Sequence, residues 1–99
     1  MTGKIPYSFK ASIWKYEGHG GWYFISLPQA IAQEIRRHLK SSESGWGRLA
    51  GTAQIGNTQW DTAIWFDTQH NTYLLPVKAE VRKKEGLMEG DEVTCVVSV

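Results

Sequence analysis

Hydrophobic and polar residues alternate near both ends of the chain, and a period of two is typical of half-buried β-strands. In YSFKASIW (residues 7–14), the apolar side chains occupy the odd-numbered positions as far as Ile13. In VTCVVSV (residues 93–99), they occupy the odd-numbered positions again, with a further valine between them. After the turn sequence EGHGG, the segment GWYFISL carries bulky side chains on both faces. These segments predict an N-terminal hairpin and a mostly buried final strand.

The middle of the chain predicts a second hairpin. From Leu49 to Ile55 the odd-numbered positions are small or apolar, and GNT then turns the chain into QWDTAIWF. Another turn, DTQHN, leads into the short segment TYLL before Pro76, which predicts one brief strand. We therefore expect six strands along the whole chain.

The first of two expected helices begins at a proline and runs from about Pro28 to Lys40. A proline suits the first turn of a helix, where its missing N–H group is not needed. Ile31, Ile35 and Leu39 recur every four positions and form one apolar face. The opposite face carries polar and basic side chains, namely Gln33, Arg36, Arg37 and Lys40.

The second expected helix follows a similar Leu-Pro step and runs from Pro76 to Glu85. Val77 and Val81 lie four positions apart, and Gly86 is placed to end the helix in a left-handed conformation. The segments YFISLPQAIAQEIRR and NTYLLPVKAEVRKK thus share one order: a strand, Leu-Pro, and a helix that ends in basic residues.

Two such units in one chain can close a small barrel around a pseudo-twofold axis and hide the strand edges. The fold class that we expect is mainly β, a small barrel of about six strands with two short helices that plug or flank it. Because both units lie in one chain, the barrel needs no partner to close, and we expect a monomer.

Length and charge limit the possible functions. The chain of 99 residues is enough for a single domain, 1–99, and too short for two. Eleven basic and ten acidic residues leave a formal net charge of +1, so we do not expect DNA as a partner.

No apolar run approaches the roughly 18 residues of a membrane-spanning helix. The N-terminal MTGKIPYSFK lacks the apolar run of a secretory signal, and the single cysteine cannot form an internal disulfide, so we expect a cytoplasmic protein.

Five tryptophans are a high number for a chain of this length. Trp14 and Trp22, in the first hairpin, are expected to pack across the barrel. Trp46 lies between two glycines in a predicted loop. Trp60 and Trp65 have opposite parity in one predicted strand, so both cannot point into the core, and at least one is expected on the surface.

Two basic residues of the second helix add a candidate site for an anion. Lys78 and Arg82 lie four residues apart, so a helix directs both to one side, where they can hold a carboxylate or phosphate. Beside them we expect a rim that binds a small planar or anionic ligand or a protein partner. The residues of this predicted rim are Lys78, Arg82, Trp46, Arg48, Trp60 and Thr62. The alternative is structural: a solvated helix face neutralised by Glu85 and Glu89, and tryptophans that cover a thin core.

The sequence contains no recognisable set of catalytic residues. His19, His38 and His70 lie in a turn, on a helix and in another turn, without the spacing of metal ligands. Cys95 shares a strand face with valines, and burial there raises the pKa of a thiol and lowers its reactivity. No GxSxG, P-loop or dinucleotide-binding motif occurs. We therefore expect a non-enzymatic protein that uses neither a metal nor a cofactor.

Four segments together resemble the bacterial family known as domain of unknown function DUF 1905: FKASIW, GGWYFISLP, GWGRLAGTAQIGNTQWDTAIWF and YLLPVKAEVRKKEGLMEGDEVTCVV. The resemblance spans nearly the whole chain, and IGNTQWDTAIWF and LPVKAEVRKKEGLMEGDEV are its most specific parts. It implies a double-split β-barrel, the architecture of AbrB-like and MazE-like transcription factors, whose Leu-Pro, arginine and GLxxGD pattern is similar to residues 75–93. It implies no known activity and no site residues.

Two functions follow as hypotheses. The first is a binding or interaction module that uses the predicted rim to hold a small anion, a peptide or a partner domain. The second is a DNA-binding transcriptional regulator of the AbrB-like type, by analogy of fold alone. AbrB-like factors build one barrel from two chains, whereas this chain holds both units and has a net charge near zero. The first hypothesis is therefore favoured.

Overall fold

The computed structural model describes residues 4–18 and 20–99, without the side chain of Trp46. In chain order, its strands and helices are β1 (Pro6–Lys15), β2 (Tyr23–Ser26), α1 (Gln29–Leu39), β3 (Arg48–Ile55), β4 (Thr58–Asp67), β5 (Thr72–Pro76), α2 (Ala79–Glu85) and β6 (Glu92–Ser98). Two short 3₁₀ turns, Lys40–Ser42 and Gly45–Gly47, connect α1 to β3. The predicted fold class, mainly β with six strands and two short helices, is confirmed.

The six strands form a closed antiparallel barrel in the order β1-β2-β5-β4-β3-β6, and β6 pairs with β1. The β1–β6 ladder places Phe9 opposite Cys95, and the β3–β4 ladder places Ala53 opposite Trp60. The expected barrel is therefore present, and its closure pairs both edges of every strand in the described part of the chain.

The barrel consists of two chain segments with the same order of elements: strand, strand, helix, strand. The first contains β1, β2, α1 and β3, and the second contains β4, β5, α2 and β6. Exchanging the two segments leaves the order of strands around the barrel unchanged. The segments meet along four strand pairs: β2–β5, β3–β4, β3–β6 and β1–β6. In the first of these, Ile25 lies opposite Leu75, and beside it the Leu27 N–H donates to the Tyr73 carbonyl at 3.0 Å. The double-split form implied by the resemblance stays a prediction.

The helices lie close to their predicted limits. Helix α1 matches the prediction within one residue at each end, and it buries Ala32 and Ile35 against the barrel. Helix α2 begins three residues later than predicted, because Pro76 still belongs to β5 and Lys78 is extended (φ −69°, ψ 159°). Gly86 ends α2 in the left-handed conformation (φ 65°, ψ 40°), as predicted. Neither helix is long and apolar enough to cross a membrane.

One apolar core fills the barrel and extends under both helices. The fully buried side chains include Tyr73, Ile13, Ile25, Leu27, Ile35, Ile64, Leu75 and Val81. Trp60 is 8% exposed and belongs to this core, whereas Trp65, on the other face of β4, is 36% exposed. The expectation that at least one of these two rings lies on the surface is therefore confirmed.

Candidate functional site

Two basic residues of the predicted rim belong to α2: Lys78 precedes its first turn and Arg82 lies in its last turn, and both have local contacts. Lys78 is exposed, and its Nζ lies 3.7 Å from the Glu80 carboxylate. The guanidinium carbon of Arg82 lies 3.8 Å from the centre of the Tyr23 ring, and its Nε donates to the Val77 carbonyl at 3.1 Å. Arg82 therefore connects α2 to β2.

The acidic residues expected to neutralise these cations lie elsewhere. Glu85 accepts a hydrogen bond from the Thr58 hydroxyl at 2.6 Å, which joins the end of α2 to the start of β4. In the described part of the chain, no ion pair connects Glu85 or Glu89 to Lys78 or Arg82. The expected pairing is therefore not seen, and the Glu85 carboxylate faces the β3–β4 turn instead.

The other rim residues do not gather around Lys78 and Arg82 in any described contact. Trp60 packs in the core, which corrects the prediction that its ring lies on the rim. Thr62 is half-buried, and its hydroxyl contacts the next carbonyl along β4 at 3.4 Å. Arg48 is exposed at the start of β3. The side chain of Trp46 lies outside the described residues.

Aromatic side chains instead gather on the outer surface of the barrel, across four neighbouring strands. Strand pairing places Trp14 beside Phe24, and Phe24 beside Pro76. Further along the same surface, Leu74 lies opposite Trp65. On this surface is an open cleft of about 470 Å³. This aromatic cleft is lined chiefly by Trp14, Tyr16, Trp22, Phe24, Trp65 and Leu74, with Pro76, Phe66, Asp67, Gln69 and His70 around them.

The rings of the aromatic cleft are packed against one another around Phe24. Trp22 stacks on Phe24 with centroids 6.3 Å apart and planes 15° apart, and Trp14 lies on it at 5.3 Å. Tyr16 meets the same ring edge-on at 6.2 Å. Even so, Trp22 is 55% exposed and Tyr16 is 48% exposed. Broad aromatic faces are therefore held in place and open to solvent.

Polar groups hold one edge of the aromatic cleft. The Trp14 Nε1–H donates to the Ser26 hydroxyl at 2.9 Å, which fixes the indole against β2. The His70 ring also lies against that indole, with ring centroids 5.3 Å apart. Asp67 accepts the backbone N–H of His70 at 2.9 Å and also contacts its Nδ1. The cleft therefore has apolar walls and a polar edge formed by the β4–β5 turn.

The prediction that Trp14 and Trp22 pack across the barrel is wrong. Trp14 lies on the same face of β1 as Ser12, whereas the buried side chains of β1, Phe9 and Ile13, lie on the other face. Trp22 likewise has the parity opposite to buried Ile25. The alternation in YSFKASIW already indicated an outward Trp14. The residues that β4 and β5 contribute to the aromatic cleft depend on the pairing of distant strands, which no local sequence pattern reveals.

Near the C-terminal end of α1, the buried residue Tyr73 joins a polar network. The Tyr73 hydroxyl donates to the Glu43 carboxylate, and burial together with this carboxylate raises the pKa of Tyr73. Glu43 Oε2 lies 3.7 Å from Arg36 Nε. The guanidinium carbon of Arg36 in turn lies 3.7 Å from the centre of the Phe66 ring. These contacts fix α1 and the following turn against β4 and β5.

The described residues form neither a reactive thiol nor a metal site, and His19 lies outside them. Cys95 is fully buried, as predicted, and burial raises the pKa of its thiol to about 12. A thiol with this pKa is protonated at neutral pH and is a weak nucleophile. Among the residues that the structure describes, no three His, Cys, Asp or Glu side chains come together as metal ligands.

Comparison with known proteins assigns the chain to a family. No curated protein matches the chain. Residues 9–97 match the family described as domain of unknown function (DUF1905), and this range includes every strand of the barrel in whole or in large part. The protein therefore belongs to the DUF1905 family.

Proposed function

We propose that this protein is a non-enzymatic binding module that holds a small, flat and largely apolar ligand in the aromatic cleft. The observation that carries the proposal is the exposure of Tyr16, Trp22 and Trp65 around the packed ring of Phe24. Large aromatic faces in water are unfavourable, and contiguous apolar surface of this kind is typical of binding sites.

The dimensions of the cleft suit a small molecule. Its volume of about 470 Å³ lies in the range of roughly 300–1,000 Å³ that is usual for ligand sites. Because Trp14 and Phe24 are fixed by their neighbours, binding requires little additional ordering of these side chains. Flat ligands gain stacking contacts with such rings, and Gln69 and His70 at the edge offer polar partners.

The predicted rim contributes to this proposal at one point. The guanidinium carbon of Arg48 lies 5.7 Å from the centre of the Trp65 ring, within the range of a cation–π contact. Arg48 is therefore placed to reach a ligand that stacks on Trp65. Lys78 and Arg82 belong to α2, are not among the residues that line the cleft, and have the local contacts described above.

Calorimetric titration with 2-naphthol, a neutral planar probe, tests the proposal. We expect saturable binding with one site per chain. Trp22→Ala and Trp65→Ala are each expected to weaken it about tenfold, since stacking of a ring on an aromatic side chain contributes roughly 1–3 kcal/mol. Met88→Ala is the matched control, because Met88 is exposed and lies outside the cleft. Absence of saturable binding, or equal losses in all three variants, would contradict the proposal.

The alternative function, a DNA-binding regulator, predicts a different dependence of binding affinity on salt concentration. Several phosphate contacts make the affinity for duplex DNA fall steeply with salt concentration. Binding of a neutral planar ligand in an apolar cleft has little salt dependence. We therefore expect the affinity for 2-naphthol to be nearly constant between low and physiological salt.

A further inference from the structure

A second hollow lies beside the aromatic cleft, on the polar face of α1. It has a volume of about 390 Å³, and its wall includes Gln33, Arg36, Arg37, Lys40, Phe66 and Asn71. The spacing of the first four residues places them on one side of the helix and the turn that continues it. Asn71 belongs to the β4–β5 turn, has a left-handed backbone (φ 55°) and also lines the hollow. We call this the basic hollow.

The three cations of the basic hollow differ in their acidic partners. Arg37 lies 3.1 Å from the Glu34 carboxylate, but both side chains are largely exposed, and such pairs contribute little. Arg36 is 3.7 Å from Glu43, and within the described residues its Nε has no hydrogen-bond partner. Lys40 forms no ion pair in the described ranges. An anion in the hollow therefore meets positive charge that weak or distant carboxylates offset only in part.

Phe66 connects the basic hollow with the aromatic cleft. Its ring lies under the Arg36 guanidinium group at 3.7 Å, and the residue lines both cavities. The β4–β5 turn also borders both, with His70 on the side of the cleft and Asn71 on the side of the hollow. Because the two cavities share Phe66, we treat them as two parts of one site, with aromatic walls in one part and cationic side chains in the other.

We propose that the ligand of this protein is an aromatic anion, whose flat body stacks in the aromatic cleft and whose phosphate, sulfonate or carboxylate group binds in the basic hollow through Arg37 and Lys40. This inference rests on the proposed function and deepens it. Arg36 stays on the Phe66 ring and adds positive charge to the hollow. Amide donors of Gln33 and Asn71 complete the surroundings of the anionic group.

A matched pair of probes separates the two parts of the site. 2-Naphthyl phosphate and 2-naphthol share one aromatic body and differ in the anionic group. We expect the phosphate to bind about tenfold more tightly to the natural protein, because charge-assisted hydrogen bonds are the stronger ones. In the double variant Arg37→Gln/Lys40→Gln, we expect this preference to disappear while the affinity for 2-naphthol is unchanged. The control is Lys83→Gln/Lys84→Gln, which removes the same charge from α2.

Each outcome bears on a different part of the site. If both probes bind equally to the natural protein, or if the preference survives in the Arg37→Gln/Lys40→Gln variant, the basic hollow is not an anion site and the aromatic cleft still stands. If both double variants reduce the preference equally, the effect is one of net charge, and the hollow is again excluded. If neither probe binds to the natural protein, both the proposed function and this inference fail.

Discussion

Arg82 covers the ring of Tyr23, with its guanidinium carbon 3.8 Å from the ring centre. It thereby connects α2 to β2, the strand that precedes the first Leu-Pro step. Its Nε also donates to the Val77 carbonyl. This side chain was a candidate for anion binding in the sequence, but its described contacts are those of a residue that stabilises the fold.

We therefore expect Arg82→Ala to lower the free energy of unfolding by about 1–2 kcal/mol, from the lost cation–π contact and hydrogen bond. Lys83→Ala is the control, since Lys83 is an exposed neighbour on the same helix. Urea unfolding followed by tryptophan fluorescence measures both. Equal stabilities for the two variants would show that the Arg82–Tyr23 contact contributes nothing.

Two tryptophans on opposite faces of the sheet should respond differently to truncation. Trp60 is enclosed in the core, so Trp60→Ala should lower the free energy of unfolding by about 3–5 kcal/mol. Trp22 is 55% exposed on the aromatic cleft, and Trp22→Ala should change stability by less than about 1.5 kcal/mol, the upper range for an aromatic pair. Melting temperatures of the two variants test this, and a larger loss for Trp22→Ala would contradict the structure.

The buried thiol of Cys95 makes stability depend on alkaline pH. Its pKa is raised to about 12 in the folded protein, against an ordinary value of about 8.5 in the unfolded chain. The unfolded chain therefore releases this proton first, so the contribution is complete below about pH 8.5 and is lost as the pH rises towards 12.

Between about pH 9 and 11, this group should lower the free energy of unfolding by roughly 1.4 kcal/mol per pH unit. Tyr73, whose pKa is also raised, adds to the loss at the upper end. Cys95→Val removes the thiol and should lose less stability over this interval. Parallel pH profiles of the free energy of unfolding for the two proteins would mean that the thiol is not buried in solution.

The strand and helix pattern was predictable because it rests on local signals. Alternation identified β1 and β6, the four-residue spacing from Ile31 to Leu39 identified α1, and Gly86 marked the end of α2. The repeated Leu-Pro step even indicated the two equivalent segments of the barrel. The start of α2 was misplaced because strand pairing extends β5 through Pro76, and pairing is a tertiary effect.

The site was less predictable than the fold. Parity alone places Trp14 outside, but it does not show that Trp65 and Leu74 lie on the same surface, because this depends on the neighbours of β5 in the barrel. The prediction of a rim around Lys78 and Arg82 failed for the same reason. Sequence spacing places Arg82 beside Lys78, and only the packing of α2 on β2 shows that Tyr23 covers Arg82.

The closed barrel also leads to a prediction about assembly. All six strands come from one chain, and β6 pairs with β1 without a second copy. We expect a folded monomer at micromolar concentration in sedimentation velocity, with a mass near 11.2 kDa. An obligate dimer that stays intact on dilution until the chain unfolds would show that the barrel needs a partner.

The most direct test of the aromatic cleft uses the indole N–H signals in a ¹H–¹⁵N spectrum, assigned by single substitutions. Addition of 2-naphthol should shift the signals of Trp14, Trp22 and Trp65, which line the cleft, and should leave that of the core residue Trp60 in place. A spectrum in which the three cleft signals stay unchanged at saturating probe, or in which Trp60 alone shifts, would contradict binding at this surface.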